Sequence, residues 1–329
     1  MDSVQMNYPA VGVVIIGRNE GSRLVTCLDS LAKFTPQVVY VDSASTDNSI
    51  AEAKYRGAHV VSLDMTKAFT AARARNAGFD AITSLYPNIK FVQFVDGDCI
   101  VNADWITKAI DFLNSNPTVA VVCGRRRELY PQQSVYNNLC DHEWNTPIGE
   151  AKACGGDALM RADVVKLVGG YNNLLIAGEE PELCIRIRQA GFAVWRIDAE
   201  MTLHDAAITK LSQWWKRTMR TGYAFAEGSS MHGANPERHW VVESRRAWVW
   251  GFIIPVMIFV VCFFSWKLSI LMTLIYPLQV ARLAMKNKSP KNWQQAFFLV
   301  LGKFAEMMGQ FKFFKQKYTN QEISLIEYK

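Results

Sequence analysis

The chain has 329 residues, half of them hydrophobic and 12% aromatic, with 36 Lys and Arg against 30 Asp and Glu and a mean hydropathy of +0.01. That length admits one large domain with an appendage, or two domains, and the apolar content excludes a disordered chain, a collagen-like repeat and a small disulfide scaffold. The average conceals a division: residues 1–200 carry a net charge of −4 and residues 201–329 a net charge of +10. An acidic front on a basic, apolar back suits a soluble head on a membrane-facing base, and a basic protein-binding face has the same sums. The seven cysteines (Cys27, Cys99, Cys123, Cys140, Cys154, Cys184 and Cys262) stand singly, without a C-x-x-C pair or a preceding signal peptide. They read as thiols of a reducing cytosol.

From Val11 onward, short apolar runs alternate with amphipathic stretches. VGVVII (11–16) predicts a first strand, and Leu24, Leu28 and Leu31 a helix after it. QVVYVD (37–42) predicts a second strand, residues 46–56 a helix stopped at Gly57, and HVVSL (59–63) a third strand. A helical run over 69–83 precedes the strand FVQFVD (91–96). Another helix ends before Pro117, and TVAVVCG (118–124) follows. Strand and helix in this order predict an α/β fold, a mostly parallel doubly wound sheet. Such sheets bind ligands at the carboxyl ends of their strands, which singles out Asp42 and Asp96.

The back third differs. Residues 247–266 hold no charge, and after Lys267 neither do residues 268–281; Arg245 and Arg246 precede the run, and Arg282, Lys286, Lys288 and Lys291 follow it. A bilayer core of about 30 Å needs about 20 apolar residues per helix, and basic flanks on both sides fit a hairpin with both ends on the cytoplasmic face. A buried helical pair and a re-entrant or surface-lying pair are the alternatives. Residues 296–317 mix Phe, Leu and Met with Lys and predict an amphipathic interfacial helix, or one packed on the head. The expected division is a catalytic domain over 1–230 and a membrane-associated helical region over 231–329, with the apolar hairpin at about 247–283.

Chemistry concentrates at FVQFVDGDC (91–99), where a strand ends in Asp96-Gly97-Asp98. Two carboxylates separated by one Gly can place one group on a hard divalent cation and the other on a ribose, while the Gly allows close approach. VVYVDSASTDNS sets Asp42 at the end of another strand, followed by Ser43, Ser45, Thr46 and Asp47. The hydroxyls also suit a turn and a helix cap.

Taken together, these segments resemble the family 2 glycosyltransferases, enzymes of the GT-A fold that use nucleotide-diphosphate sugars. The resemblance runs in order over about residues 10–230. It implies that Asn19 and Glu20, closing VGVVIIGRNE, lie near the nucleotide, and that Asp42 and Ser43 line the base or ribose. In AARARNAG, Arg75 and Asn76 are implied along the nucleotide. The D-x-D position implies Asp96 towards the ribose and Asp98 on Mg2+ or Mn2+, with His204 in DAEMTLHDAA a possible further ligand.

GGDALMRADVVKLVGGY (155–171) resembles the family's acceptor-side loop. There Gly155 and Gly156 let backbone approach a sugar and Asp157 can accept from hydroxyls. GEEPELCIRIRQAG (178–191) resembles the segment carrying the catalytic base and implies Glu180, with Glu179 as the neighbouring alternative. Pro181 predicts the helix start and Glu180 its cap, where the dipole favours an ionised carboxylate. Glu182 is expected in a surface ion pair with Arg186. LSQWWKRTMRTGYAFAEG carries Lys216, Arg217 and Arg220 in the segment that, in membrane-bound relatives, lies beside the leaving diphosphate; a basic helix on anionic lipid head groups is the other reading. Tyr136, Asp141, His142 and Trp144 are candidates for specificity.

The resemblance and the basic, apolar back lead to one expectation. The chain is an inverting, metal-dependent glycosyltransferase moving a sugar from a nucleotide-diphosphate donor to a lipid-linked saccharide at the cytoplasmic face of a membrane, in polysaccharide or cell-envelope glycan synthesis. The alternatives are a polyprenyl-phosphate glycosyltransferase, a nucleotidyltransferase and a non-catalytic membrane-attached binding module. Nucleic acid is not an expected partner, since the positive residues cluster around apolar runs.

Overall fold

The computed structural model describes residues 10–35, 37–286 and 292–319. The chain divides into two compact units, Met1–Ile208 and Thr209–Lys329.

In the first unit the order is β1 (Val11–Gly17), α1 (Ser22–Leu31), β2 (Val38–Asp42), α2 (Ser49–Tyr55), β3 (His59–Ser62), α3 (Ala71–Leu85), β4 (Phe91–Asp96) and β5 (Cys99–Val101). It continues with α4 (Trp105–Ser115), β6 (Val119–Glu128), α5 (Val135–Glu143), β7 (Gly149–Ala151), β8 (Ala158–Arg161), α6 (Ala162–Leu167), α7 (Glu179–Gln189) and β9 (Ala193–His204). Among the described residues the strands form one sheet in the order β3-β2-β1-β4-β8-β6-β9-β5, with β7 on β9.

The first four strands pair in parallel. The unbroken apolar runs of β1 and β2 belong to strands covered on both faces, where alternation would leave polar groups buried. Helix α3 lies close on β1 because Gly78 offers no side chain: a Cβ there would overlap Val14 and come within 2.9 Å of Val41. Gly12 does the same for Ile82 and Ile89. Thr70 starts α3 by accepting from Arg73 N at 3.1 Å.

The sheet is mixed, where a mostly parallel one was expected. Strand β8 runs antiparallel between β4 and β6, and β5 and β7 run antiparallel to β9. This insertion builds the site. An antiparallel strand begins where its neighbours end, so Gly155–Asp157, just before β8, emerge beside Asp96–Asp98, just after β4. Gln93 on β4 is fully buried and accepts from Trp105 Nε1 at 2.9 Å, fixing α4 under the same edge.

The second unit is helical: α8 (Leu211–His232), α9 (Val241–Trp248), a π-helical turn (Val249–Ile253), α10 (Ile254–Cys262), α11 (Trp266–Thr273), α12 (Ile275–Met285) and α13 (Asn292–Thr319). The expected boundary near 230 therefore falls inside α8, which packs along α13. A Cβ on Gly222 would overlap the Glu306 backbone and one on Gly309 the Met219 carbonyl, so the two helices touch backbone to backbone. Trp214 meets Phe298 and Tyr223 meets Phe313 edge-on. Helix α13 is thus packed within this unit, with Ala305 and Gln310 fully buried.

Val241–Cys262 and Trp266–Met285 are long and apolar enough to cross a membrane, at 22 and 20 residues and mean hydropathies of 1.6 and 1.5. Only 11% of each apolar window is buried, so these are not core helices of the described fold. Lys288 and Lys291, part of the expected basic flank, lie outside the described residues.

Candidate active site

Asp96 closes β4, Gly97 turns, and Asp98 precedes β5. Gly97 N donates to Ile16 O at 2.8 Å, and a Cβ at Gly97 would crowd the same oxygen at 3.3 Å, so the turn is seated on β1. Pairing of β5 with β9 sets Cys99 opposite His204 and brings His204 Nε2 to 3.2 Å from Asp98 Oδ1. Both side chains are buried. Asp96, Asp98, Cys99 and His204 offer ligand atoms within 4.8 Å of one another. Two of the four are otherwise engaged. Asp96 is held by two guanidiniums, Arg75 Nη2 at 2.9 Å and Arg126 Nη2 at 3.3 Å, and burial next to Asp157 pushes the Cys99 thiol up, so that it stays a protonated donor. Asp98 and His204, the expected ligands, face each other within this cluster.

The expected base segment meets the same place. Helix α7 begins at Glu179, with Gly178 in the left-handed conformation (φ 80°) as its N-cap. Glu180 is therefore in the first turn and not the cap, a correction that follows from the glycine's access to positive φ. Arg75 Nη1 reaches Glu179 Oε1 at 2.8 Å and Glu180 Oε1 at 3.0 Å. Burial, and then Glu179, push the Glu180 carboxyl up to about 7 against the pull of Arg75, overriding the expected dipole effect. For Asp96 burial works upward, yet Arg75 and Arg126 outweigh it and hold the group below the usual carboxylate range. Glu182 does pair with Arg186, at 2.7 Å, but its side chain is buried, so the pair is not a surface one.

Gly156 sits at the centre. A Cβ there would come 2.6 Å from Arg75 Nη2, 3.1 Å from Asp96 Oδ2 and 3.3 Å from Glu180 Oε1. Gly155 is roomier, its nearest neighbour Arg126 Nη1 at 3.8 Å. Asp157, expected to face acceptor hydroxyls, is fully buried; it accepts from Thr202 Oγ1 at 2.7 Å and lies 3.5 Å from Arg126 Nε. It braces the floor of the site.

On the expected donor side, Asp42 is buried at the end of β2 and accepts from Ser45 N at 2.9 Å and Tyr40 Oη at 3.1 Å. Ser43 is buried and donates its N–H to Gly17 O at 3.1 Å. Asn19, at φ 55°, accepts from Thr46 N at 2.7 Å and donates its N–H to Ser45 Oγ at 2.9 Å, joining the loops after β1 and β2. Glu20 pairs with Arg23 at 2.7 Å. Arg75 and Asn76, expected along a nucleotide, have protein partners. Arg75 is clamped among carboxylates. Asn76 accepts from Tyr171 N and donates to Tyr171 O, each at 2.8 Å, and so latches the Gly169-Gly170-Tyr171 turn onto α3.

Arg126 was not singled out from the sequence, nor was Trp144 oriented. The Arg126 guanidinium lies 4.8 Å from the centroid of the Trp144 ring, which meets the His204 ring in a T-shaped contact with centroids 4.8 Å apart. Asp141 holds Arg125 at 3.0 Å. The signal was the run Arg125-Arg126-Arg127 at the end of β6, where a register shift between Arg125 and Arg126 breaks the strand's alternation. Lys216, Arg217 and Arg220 lie on α8 in the second unit.

A comparison with protein families matches residues 12–153 to glycosyl transferase family 2. The succinoglycan biosynthesis protein ExoA of Rhizobium meliloti is 24% identical over 234 residues, 66% of this chain and 69% of that protein. The pre-mycofactocin glycosyltransferase of Mycobacterium tuberculosis is 27% identical over 220 residues, 62% of this chain and 44% of that one, so the match spans under half of its length. Among solved structures, a mannosyltransferase from Pyrobaculum calidifontis in complex with GDP-Man and Mn2+ superimposes with a TM-score of 0.57 at 16% identity, covering 92% of this chain and 87% of that one. That likeness is one of fold, GT-A.

Proposed function

Because residues 12–153 belong to glycosyl transferase family 2, we propose that the chain transfers a sugar, with inversion, from a nucleotide-diphosphate donor to a lipid-linked saccharide at a membrane surface, in polysaccharide or glycan synthesis. One observation carries the reading. The donor-side carboxylate Asp96 and the candidate base Glu180 approach the same point above Gly156, at 3.1 and 3.3 Å, with Asp98 and His204 alongside. An acceptor hydroxyl at Glu180 would then lie beside a donor held at Asp96.

The residues fit a divalent cation. One carboxylate and one imidazole suit Mn2+ or Mg2+, and the site sets Asp96, Asp98, Asp157, Glu179 and Glu180 against only Arg75 and Arg126 among its permanently charged groups. When bound, the cation would neutralise charge on the departing diphosphate. Glu180 takes the proton of the attacking hydroxyl, and a group raised to about 7 is half ionised where it works. Gly155 and Gly156 keep the acceptor side clear of side chains. The alignment to ExoA supports the glycan context, and the two exposed apolar helices support a membrane surface, where Lys216, Arg217 and Arg220 would meet phosphate-bearing groups.

The test is a screen of nucleotide sugars for release of nucleoside diphosphate, with and without membrane lipid extract, in Mn2+, Mg2+ or chelator, followed by determination of the product's anomeric configuration by NMR. Release that requires both metal and lipid, with an inverted product, is expected. Metal-independent release, or none with any common sugar nucleotide, would sink the reading.

A further inference from the structure

We propose that Arg75 is a positioning residue that ties the donor-side carboxylate Asp96 to the candidate base Glu180, so that a change of partner at Asp96 is felt at Glu180. The proposal rests on the glycosyltransferase reading only in calling Glu180 a base.

The argument is geometric. Arg75 comes from α3, Asp96 from the end of β4 and Glu179 and Glu180 from the first turn of α7, so three elements meet on one guanidinium. Its two ends are divided: Nη2 faces Asp96 at 2.9 Å, while Nη1 faces Glu179 at 2.8 Å and Glu180 at 3.0 Å. A planar fork can serve both sides at once, which a point charge on a Lys cannot. Arg75 is buried, so water does not screen the sharing.

The backbone also enforces it. A Cβ on Gly156 would press on Arg75, Asp96 and Glu180 together, so the glycine is what lets the three groups close on one another. The groups facing Glu180 are Glu179 on its own helix, Arg75, Asp96, the Tyr171 hydroxyl and the Cys154 thiol. Arg75 is the cation among them. When a ligand draws Asp96 away, Arg75 turns more fully to the two glutamates and favours the ionised base. Donor arrival and base readiness become one event.

The test reads Glu180 itself and needs no turnover. The infrared carbonyl band of protonated Glu180, isolated as wild type minus Glu180→Gln, is titrated on the full chain. Asp96→Asn should lower the midpoint, because its own repulsion is removed and Arg75 is then left to the glutamates. Arg75→Lys should raise it by about one unit or more. The effect of Asp96→Asn should shrink in the Arg75→Lys background, because coupled sites are not additive. Near-ultraviolet circular dichroism checks that each variant is folded; should Arg75→Lys fail to fold, Arg75→Gln takes its place in the same cycle, since the direct repulsion between Asp96 and Glu180 would by itself lower the midpoint in Asp96→Asn. An unmoved or raised midpoint in Asp96→Asn, or strict additivity, overturns the proposal. In a parallel transfer assay the acid limb of the pH–rate profile should move with the midpoint. Shifted midpoints in a protein that transfers no sugar would sink the functional reading and leave the coupling standing.

Discussion

His204 Nε2 lies 3.2 Å from Asp98 Oδ1, although a long stretch of chain separates them. The register of β5 on β9 makes the meeting obligatory. Asp98→Ala should abolish Mn2+ binding and transfer, and His204→Ala should weaken Mn2+ by more than about tenfold, since even partners of metal ligands cost 10–100-fold. Electron paramagnetic resonance of free Mn2+ measures both; wild-type affinity in His204→Ala would remove it from the ligand set.

Glu180→Gln should lower turnover by about 10²–10⁴-fold while leaving donor affinity within a few-fold of wild type. Wild-type kcat/KM should rise with pH through about 7 as Glu180 ionises. Activity that persists in Glu180→Gln with a lipid monophosphate acceptor would identify an acceptor that needs no base.

The same carboxyl makes a statement about stability. Its folded-state pKa lies above the ordinary 4.5, so the folded state holds the proton more tightly and this group's contribution is complete below 4.5 and is lost as pH rises through about 7. Between those limits the Tm of wild type should fall relative to that of Glu180→Gln, as scanning calorimetry can record. A constant difference between pH 4.5 and 8 would contradict the raised value.

Trp144 carries Arg126 over its ring and meets His204 in a T-shaped contact. Trp144→Phe keeps a ring and should leave Mn2+ affinity within about threefold, whereas Trp144→Ala should cost about tenfold or more, as loss of groups orienting a metal ligand does. Equal affinity in both variants would assign Trp144 to packing alone.

Phe259, Phe263, Phe264 and Leu271 are exposed in the second unit. The full chain should sediment with membranes and resist extraction by high salt. Asp at Phe259 and Leu271 should each cost roughly 2.5–3.5 kcal/mol of insertion and shift protein to the soluble fraction. Release of the unaltered chain by salt alone would leave only electrostatic attachment.

The parts legible in the sequence were those set locally. Apolar runs announce β1, β2 and β4, and a strand that ends in Asp-Gly-Asp announces its own chemistry. What pairing decides was not legible. The antiparallel placement of β8 depends on partners far along the chain, and it alone buries Asp157 and places Gly156 beside Asp96. The family resemblance implies both Arg75 and Asn76 along a nucleotide. Being neighbours, they point about 100° apart, one into the carboxylates and one onto the Tyr171 turn. Arg126 was hidden within three consecutive arginines, of which a strand irregularity selects one.

The backbone contact between α8 and α13 has a practical consequence for anyone trimming this protein. Helix α13 is the last described element, and its Gly309 rests against the Met219 carbonyl while Phe313 covers Tyr223. Shortening the chain to a point before Gly309 would strip an otherwise fully buried tyrosine of its ring partner. Helix α13 is a structural wall of the second unit, and a deletion that removes its Gly309–Phe313 stretch should not be tolerated.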